Sequence, residues 1–196
     1  MEQPASRRER NKVRTRAAIL EAARAGFASR GVAATTMDDI AEAAQVSRAT
    51  LFNYFTGKAE ILDHLGAEVN EGFLARLDRI RDAIDDPAER VRRLLTESGR
   101  SLAEEGDRWR AVIGYLELGW NEAGLADRME QLTGRFEALL GTDPARAHER
   151  RVLAEMIVAT YVGMVHNWRL GENYPIAARL AELGDHLHAL LRLRGF

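Results

Sequence analysis

The chain has no cysteine and only four prolines among its 196 residues. Without a thiol it can form no disulfide framework, no Cys-ligated zinc or iron–sulfur site and no thiol nucleophile. Long apolar runs are missing too, because the longest, residues 156–165, is about half of the roughly 20 residues that span a bilayer. The polar N-terminus also lacks the apolar segment of a secretory signal. We therefore expect a cytoplasmic protein without a membrane partner.

Motifs of common catalytic and cofactor sites are absent as well. The sequence has no HExxH, GxSxG or GxGxxG pattern, and Gly57-Lys58 lacks the upstream glycine of a phosphate-binding loop. His186 and His188 are two residues apart, so on a helix they lie on different faces and make a poor chelate. We predict no catalytic residue, no metal site, no cofactor and no enzymatic activity.

The net charge of −2 conceals an asymmetry along the chain. Residues 1–58 hold ten basic and six acidic side chains, whereas the rest of the chain holds 18 basic and 24 acidic ones. Six of the ten basic residues lie within 7–16, where they could attract a polyanion such as DNA or form a solvated, disordered tail. The two parts therefore indicate different partners, and we predict domains over 1–58 and 59–196.

Hydrophobic periodicity predicts an all-α chain, since no alternating stretch is long enough for a strand. Proline marks three helix starts, where its missing N–H leaves no hydrogen bond unmade, and Gly31 suits the end of the first helix. The predicted helices, about nine in number, span 10–29, 37–44, 48–54, 58–84, 87–104, 107–118, 124–140, 144–170 and 175–193.

Residues 35–58 contain two of these helices, joined by only three residues, 45–47. So short a connection requires a sharp turn, which is typical of a helix-turn-helix. Thr36 and Ser47 can cap the two helices, with Asp39 as the reciprocal partner of Thr36. Eight apolar residues can form a three-helix core with the first helix: Ile19, Ala23, Phe27, Ile40, Ala41, Ala44, Leu51 and Phe55. The outward residues of the second short helix suit base edges in a DNA major groove: Arg48, Ala49, Thr50, Phe52 and Asn53.

Four segments within residues 14–62, FASRG, TTMDDIAEAA, VSRATLFNYF and GKAEIL, resemble the TetR family of bacterial transcriptional regulators. The resemblance implies phosphate contacts from Thr36, Tyr54 and Lys58. It also implies that four side chains face bases: Arg48, Ala49, Thr50 and Asn53. The predicted DNA-binding set also includes Arg14 and Arg16 of the basic N-terminal segment, the helix cap Ser47 and the outward ring of Phe52.

Two positions depart from the family pattern. Gln45 stands where the family usually has glycine, so a left-handed backbone there would be strained. Phe52 stands where the family usually has tyrosine, so one phosphate contact per subunit loses its hydroxyl donor. The alternative for the aromatic residues is a core role, which we expect for Phe55 and leave open for Phe52 and Tyr54.

The remaining helices exceed what DNA recognition needs, so we expect them to bind an effector and a second subunit. Residues 152–168 are apolar all round and require cover on more than one side, either from a partner chain or within a monomeric hairpin. A homodimer would place two recognition helices about 34 Å apart, on a palindromic operator. The predicted interface consists of Val152, Met156, Ile157, Ile176, Leu180, Leu183, Leu187 and Leu191.

Large and amphipathic side chains between the helices are candidates for an effector pocket, although the same spacing is also typical of a core. They are Phe73, Leu102, Trp109, Tyr115, Leu116, Trp120, Met129, Phe136, Tyr161, Met164 and Trp168. We therefore predict a transcriptional regulator, most simply a repressor released from its operator by a small apolar or amphipathic effector. The alternatives are a helical ligand-binding or enzymatic bundle whose head does not bind DNA, and a non-specific nucleoid protein.

Overall fold

The structure, a computed structural model, describes residues 6–118 and 122–196, without the side chains of 107, 116–118 and 122–125. These residues form helices and no strand, which confirms the predicted all-α class. The α-helices are α1 (Arg7–Ala34), α2 (Met37–Ala43), α3 (Arg48–Phe52), α4 (Lys58–Ala83), α5 (Pro87–Leu118), α6 (Glu122–Leu139), α7 (Ala147–Leu170) and α8 (Ile176–Leu193). A 3-10 helix at Pro144–Arg146 precedes α7.

One predicted break is wrong: residues 87–104 and 107–118 belong to a single helix, α5. Gly106 lies at the predicted break, and glycine weakens a helix interior. In the structure its missing side chain makes room for Trp168 of α7, whose ring would lie 2.6 Å from a Cβ at this position. This glycine therefore serves close packing between two helices and does not end one.

The chain divides into two compact units. The first, which we call the head, takes in the chain up to Val69 together with Asp107–Glu117, the last part of α5. Both of its parts therefore extend past the predicted boundary at residue 58. Its core combines residues from α1 through α4 with one residue of α5. They are Ile19, Leu20, Ala23, Phe27, Ile40, Ala41, Leu51, Phe55, Ile61, Leu62, Leu65 and Val112. Burying each large apolar side chain contributes about 1.5–3 kcal/mol, so this small core suffices to hold the short helices α2 and α3.

The second unit comprises Asn70–Gly106 and Leu118–Phe196. Two glycines permit close packing of α5 against α8 inside it. A Cβ at Gly99 would lie 3.0 Å from that of Leu180, and one at Gly184 would lie 3.1 Å from the carbonyl oxygen of Arg92. No helix among the described residues is both long and apolar enough to cross a membrane.

The contact between Gly106 and Trp168 gives a testable pair of substitutions. Gly106→Ala should lower the free energy of unfolding by about 1–3 kcal/mol, because the added methyl group overlaps a buried ring. Gly72→Ala in α4 meets no atom within 4 Å, so it should raise stability by about 0.5–1 kcal/mol through helix propensity alone. Urea denaturation followed by circular dichroism measures both. Equal effects of the two substitutions would contradict the packing role of Gly106.

Candidate nucleic-acid interface

Helix α1 is interrupted at Gly31, shortly before the helix-turn-helix begins. This residue has φ +81° and ψ 163°, a conformation that only glycine adopts at low cost. The interruption leaves backbone carbonyls without helical partners. Lys58, at the start of α4, donates from Nζ to the carbonyl oxygens of Val32 at 2.8 Å and Ala33 at 3.4 Å. The ammonium group predicted to contact phosphate therefore also closes the end of α1.

Helix α2 begins with the predicted capping box. The Asp39 backbone N–H donates to Thr36 Oγ1 at 3.1 Å, and the Thr36 N–H donates to Asp39 Oδ2 at 2.8 Å. The hydrogen bond from the Thr36 backbone holds the pKa of Asp39 below its usual value. Thr36 itself is exposed, so its hydroxyl is both a cap and a group that a phosphate can reach.

The turn between α2 and α3 contains a strained residue, as predicted. Gln45 has φ +56° and is the one non-glycine residue of the described chain with positive φ. Its N–H donates to the carbonyl of Glu42, and the Val46 N–H donates to that of Ala41, both at 3.0 Å. This pair of hydrogen bonds is the Schellman pattern, whose left-handed position glycine usually occupies.

Helix α3 presents a mixed face to solvent. Ser47 caps it, accepting from the Thr50 N–H at 3.0 Å, and its hydroxyl lies 2.8 Å from that of Thr50. Leu51 is buried in the head core, which places the intervening residues outward. The exposed side chains are Arg48, Ala49, Phe52 and Asn53, and that of Thr50 is half-buried.

Arg48 is held by two neighbours. Its Nη1 donates to Asp38 Oδ2 of α2 at 2.6 Å, and its guanidinium carbon lies 5.5 Å from the centre of the Phe52 ring. Phe52 remains 40% exposed, so this ring belongs to the surface and not to the core. Asp38 lies outside the predicted DNA-binding set, since nothing in the spacing of the sequence singles out this pair.

The other aromatic residues of the motif pack inward. Phe55 is buried, as expected, and Tyr54 is half-buried against the same core. His64 of α4 packs edge-on to Phe55, with ring centres 5.5 Å apart. The guanidinium of Arg16 lies 5.2 Å above Phe55 and within 2.6 Å of His64 Nε2, so this predicted DNA contact is also part of the head's packing.

The basic segment at the N-terminus is helical, where a disordered tail was the alternative. Helix α1 starts at Arg7, three residues before the predicted start, with Ser6 and Glu9 forming a capping box. Arg14 is exposed and donates to the side-chain oxygen of Asn11 at 3.4 Å. The segment also exposes Arg7, Arg8, Arg10 and Lys12. A helical arm therefore carries these charges in a fixed spacing.

The end of α5 belongs to the head, which the sequence did not predict. The Trp109 indole lies 4.3 Å from the guanidinium carbon of Arg24, which pairs with Glu68 at 2.5 Å. Arg108 pairs with Glu21, and Val112 is fully buried in the head core. These contacts join residues more than 40 positions apart in the sequence, so periodicity and spacing give no signal for them.

The residues predicted for an effector pocket separate into different places. Trp109 and Tyr115 pack against the head core. In the second unit Phe73, Phe136 and Tyr161 stack, with ring centres 5.6–6.3 Å apart. Trp168 is buried against Gly106. Leu102, Met129 and Met164 are half-buried, while the Leu116 side chain and Trp120 lie outside the described residues.

Polar groups border the aromatic stack. Burial raises the pKa of Tyr161 to about 12, and the charge of Arg76 and the hydroxyl of Ser98 oppose this rise. The Ser98 hydroxyl is itself buried. A separate open cavity of about 430 Å³ lies between α4 and α6 and is lined by Asn70, Leu74, Arg128, Glu130, Gln131, Leu132, Gly134, Arg135 and Ala138. None of the described residues predicted for the effector pocket lines it.

The residues predicted for a dimer interface fall into a buried group and an accessible group. Ile157, Ile176, Leu180 and Leu191 are buried within their own chain, so they have no surface left for a partner. Val152 and Met156 are 41% and 56% exposed, and Leu183 and Leu187 are half-buried. The exposed residues of α7 continue along one face through Ala159 and Gly163 to Leu170.

Comparison with known proteins places this head in a family. Residues 19–65 match the family described as bacterial regulatory proteins, tetR family. The chain is 42% identical over 85 residues to the HTH-type transcriptional regulator TtgR of Pseudomonas putida, a match covering 42% of this chain and 40% of TtgR. It is 32% identical over 139 residues to the HTH-type transcriptional repressor Rv3405c of Mycobacterium tuberculosis, covering 67% of this chain and 66% of that repressor. The aligned part thus spans less than half the length of TtgR.

The fold likeness extends over nearly the whole chain. SmeT, the repressor of the Stenotrophomonas maltophilia multidrug efflux pump SmeDEF, superimposes with a TM-score of 0.70 at 26% identity, covering 90% of this chain and 91% of SmeT. SmeT is also known as a complex with triclosan.

In the described part of the chain, no group of three or more histidine, aspartate or glutamate side chains could hold a metal ion.

The strained turn supports a stability prediction. Gln45→Gly should raise the free energy of unfolding by about 0.5–1 kcal/mol, because glycine adopts positive φ without a Cβ clash and this gain exceeds its entropy cost. Gln45→Ala is the matched control and should bring no gain, since alanine keeps the Cβ. Chemical denaturation of the three proteins measures the difference. A loss of stability in Gln45→Gly would contradict this account of the turn.

Proposed function

Since the chain belongs to the tetR family of bacterial regulatory proteins, we propose that it is a transcriptional repressor that binds operator DNA as a homodimer. A small apolar or amphipathic effector would release it. In this proposal the protein acts in the bacterial cytoplasm, where its operator lies, and has no catalytic role. TtgR and Rv3405c, which it resembles in sequence, are a transcriptional regulator and a transcriptional repressor.

The observation that carries the proposal is the exposed face of α3. A packing helix of five residues would bury its side chains, whereas here Leu51 alone is buried and the rest present donors, a methyl group and a ring. These groups match the edges that bases present in the major groove. Arginine can donate two hydrogen bonds to guanine, and a methyl group or ring can contact the methyl group of thymine. We assign base contacts to Arg48, Ala49, Thr50, Phe52 and Asn53.

Phosphate contacts would fix the register of the head on the duplex. Thr36 is exposed at the start of α2, Ser47 at the start of α3, and Lys58 lies beside the N-terminal N–H groups of the long helix α4. A helix N-terminus with a nearby lysine attracts an anion. We assign this role to these three residues, to Tyr54, and to Arg14 and Arg16 of the basic segment.

A homodimer would give the operator its symmetry. The exposed stripe on α7 carries Val152 and Met156 and continues through small residues, which permit close approach of a partner helix. Half-buried Leu183 and Leu187 of α8 would flank it. Two heads related by a two-fold axis then contact successive major grooves, so the operator is expected to be a near-palindrome.

The second unit supplies a candidate effector site. Phe73, Phe136 and Tyr161 offer apolar ring surface, and Ser98 adds a buried hydroxyl, a combination suited to an amphipathic molecule. SmeT, the similar repressor, forms a complex with triclosan. An effector regulates DNA binding only if it favours a conformation that binds the operator less well.

Loss of base contacts tests the DNA-binding proposal. The operator is obtained by selection from random duplexes, and affinity is measured by fluorescence anisotropy against a scrambled duplex. Arg48→Ala with Thr50→Ala should weaken operator binding by at least about 1–3 kcal/mol per half-site and leave scrambled DNA nearly unaffected. Arg79→Ala, which removes the same charge from the exposed part of α4, is the control and should keep full preference. A wild-type protein without preference for any sequence would overturn the proposal.

A charge on the α7 stripe tests the dimer. Met156→Glu should raise the dimer dissociation constant by at least about 100-fold, because a glutamate buried between chains without a partner costs about 3 kcal/mol or more. Ala75→Glu, at an exposed position of α4, adds the same charge elsewhere and should leave the dimer intact. Analytical ultracentrifugation at several protein concentrations separates the two variants. A Met156→Glu dimer as tight as the wild type would exclude this interface.

A further inference from the structure

We propose that Asp38 determines base specificity by holding Arg48 in position to recognise a guanine in each half-site of the operator. The inference rests on the proposed function and assigns a role to a residue outside the predicted DNA-binding set. Asp38 itself does not contact the base in this proposal. It is a positioning residue that acts through the guanidinium of Arg48.

The geometry of the pair comes from the helix-turn-helix itself. Asp38 is the second residue of α2 and Arg48 the first of α3, and the turn brings them together so that Nη1 donates to Oδ2 at 2.6 Å. Asp39, the neighbouring carboxylate, is already occupied by the Thr36 cap and lies 3.7 Å from Arg30. Asp38 is therefore the acidic side chain of α2 that engages Arg48.

The pair lies at the surface and does not hold the head together. The side chains of Arg48 and Asp38 are 66% and 62% exposed, and ion pairs this exposed add little to stability. Its effect is instead on the orientation of a long, flexible side chain. The Phe52 ring, one helical turn after Arg48, lies 5.5 Å from the guanidinium carbon and limits its movement on a second side.

A guanidinium held in this way favours a base over a phosphate. Arginine donates in pairs to O6 and N7 of guanine, the commonest specific contact in the major groove. The hydrogen bond to Asp38 uses Nη1, and Nη2 and Nε make no hydrogen bond to any described residue, so they keep donors for a base edge. Fixing the rotamer before binding reduces the entropy lost on binding. The Asp38 carboxylate would also repel a phosphate that approached the same group.

The experiment compares two substitutions in α2, each of which replaces a charged carboxylate with a neutral amide of the same size. Asp38→Asn removes the partner of Arg48, whereas Glu42→Gln removes the same charge one turn further along the helix, at an exposed position. Each full-length protein is titrated by fluorescence anisotropy against the selected operator and against duplexes with single base-pair replacements in both half-sites. Circular dichroism of each variant verifies that the head remains folded.

In the wild-type protein, replacing one G·C pair in both half-sites should weaken binding about 5- to 150-fold for each half-site replaced, and Arg48→Ala should abolish this discrimination. Asp38→Asn should reduce the discrimination at that same base pair at least several-fold and leave discrimination at the other positions unchanged. Glu42→Gln should keep the full wild-type pattern. In the Arg48→Ala background, Asp38→Asn should have no further effect on discrimination.

Two outcomes would overturn the inference while the proposed function stands. In the first, Asp38→Asn raises affinity for operator and scrambled DNA equally, which would make Asp38 a general electrostatic barrier. In the second, discrimination at the Arg48-dependent base pair stays at the wild-type value. A wild-type protein that prefers no sequence would instead defeat the proposed function, so the two failures are distinguishable.

Discussion

The turn between α2 and α3 is the constraint on which the head depends. With Gln45 in a left-handed conformation, the backbone reverses within three residues and two hydrogen bonds close the end of α2. This geometry sets the direction of α3, so Leu51 enters the core and Arg48 and Phe52 face solvent. It also brings Arg48 to Asp38, since the two residues lie on different helices and meet only across this turn.

Short helices such as α2 and α3 are not stable alone, because the few hydrogen bonds inside each helix do not offset the conformational entropy lost when it forms. Their stability comes from capping by Thr36 and Ser47 and from burial against α1 and α4. The last part of α5 completes the same core with Val112. Helices α4 and α5 each contribute residues to both compact units, so backbone continuity joins the DNA-facing residues to the part proposed to bind an effector.

Several features of the site could be predicted because their causes are local. A cap needs a hydroxyl at one position and a carboxylate three residues later, as in Thr36 and Asp39, and this pattern is visible in the sequence. The strain at Gln45 was predictable for the same reason, since only the residue type and its place in the turn matter. The role of Gly106 inside α5 was not predictable, because the ring that it accommodates belongs to a tryptophan 62 positions away.

The sequence by itself determined the helical class, the caps, the helix-turn-helix and the outward residues of α3, because neighbours within a few residues dictate each of them. The tertiary structure alone decided which carboxylate engages Arg48, that Trp109 and Tyr115 pack against the head, and which apolar residues of α7 and α8 remain exposed. These outcomes depend on contacts between distant segments, and hydrophobic periodicity shows that a face is buried without showing what covers it.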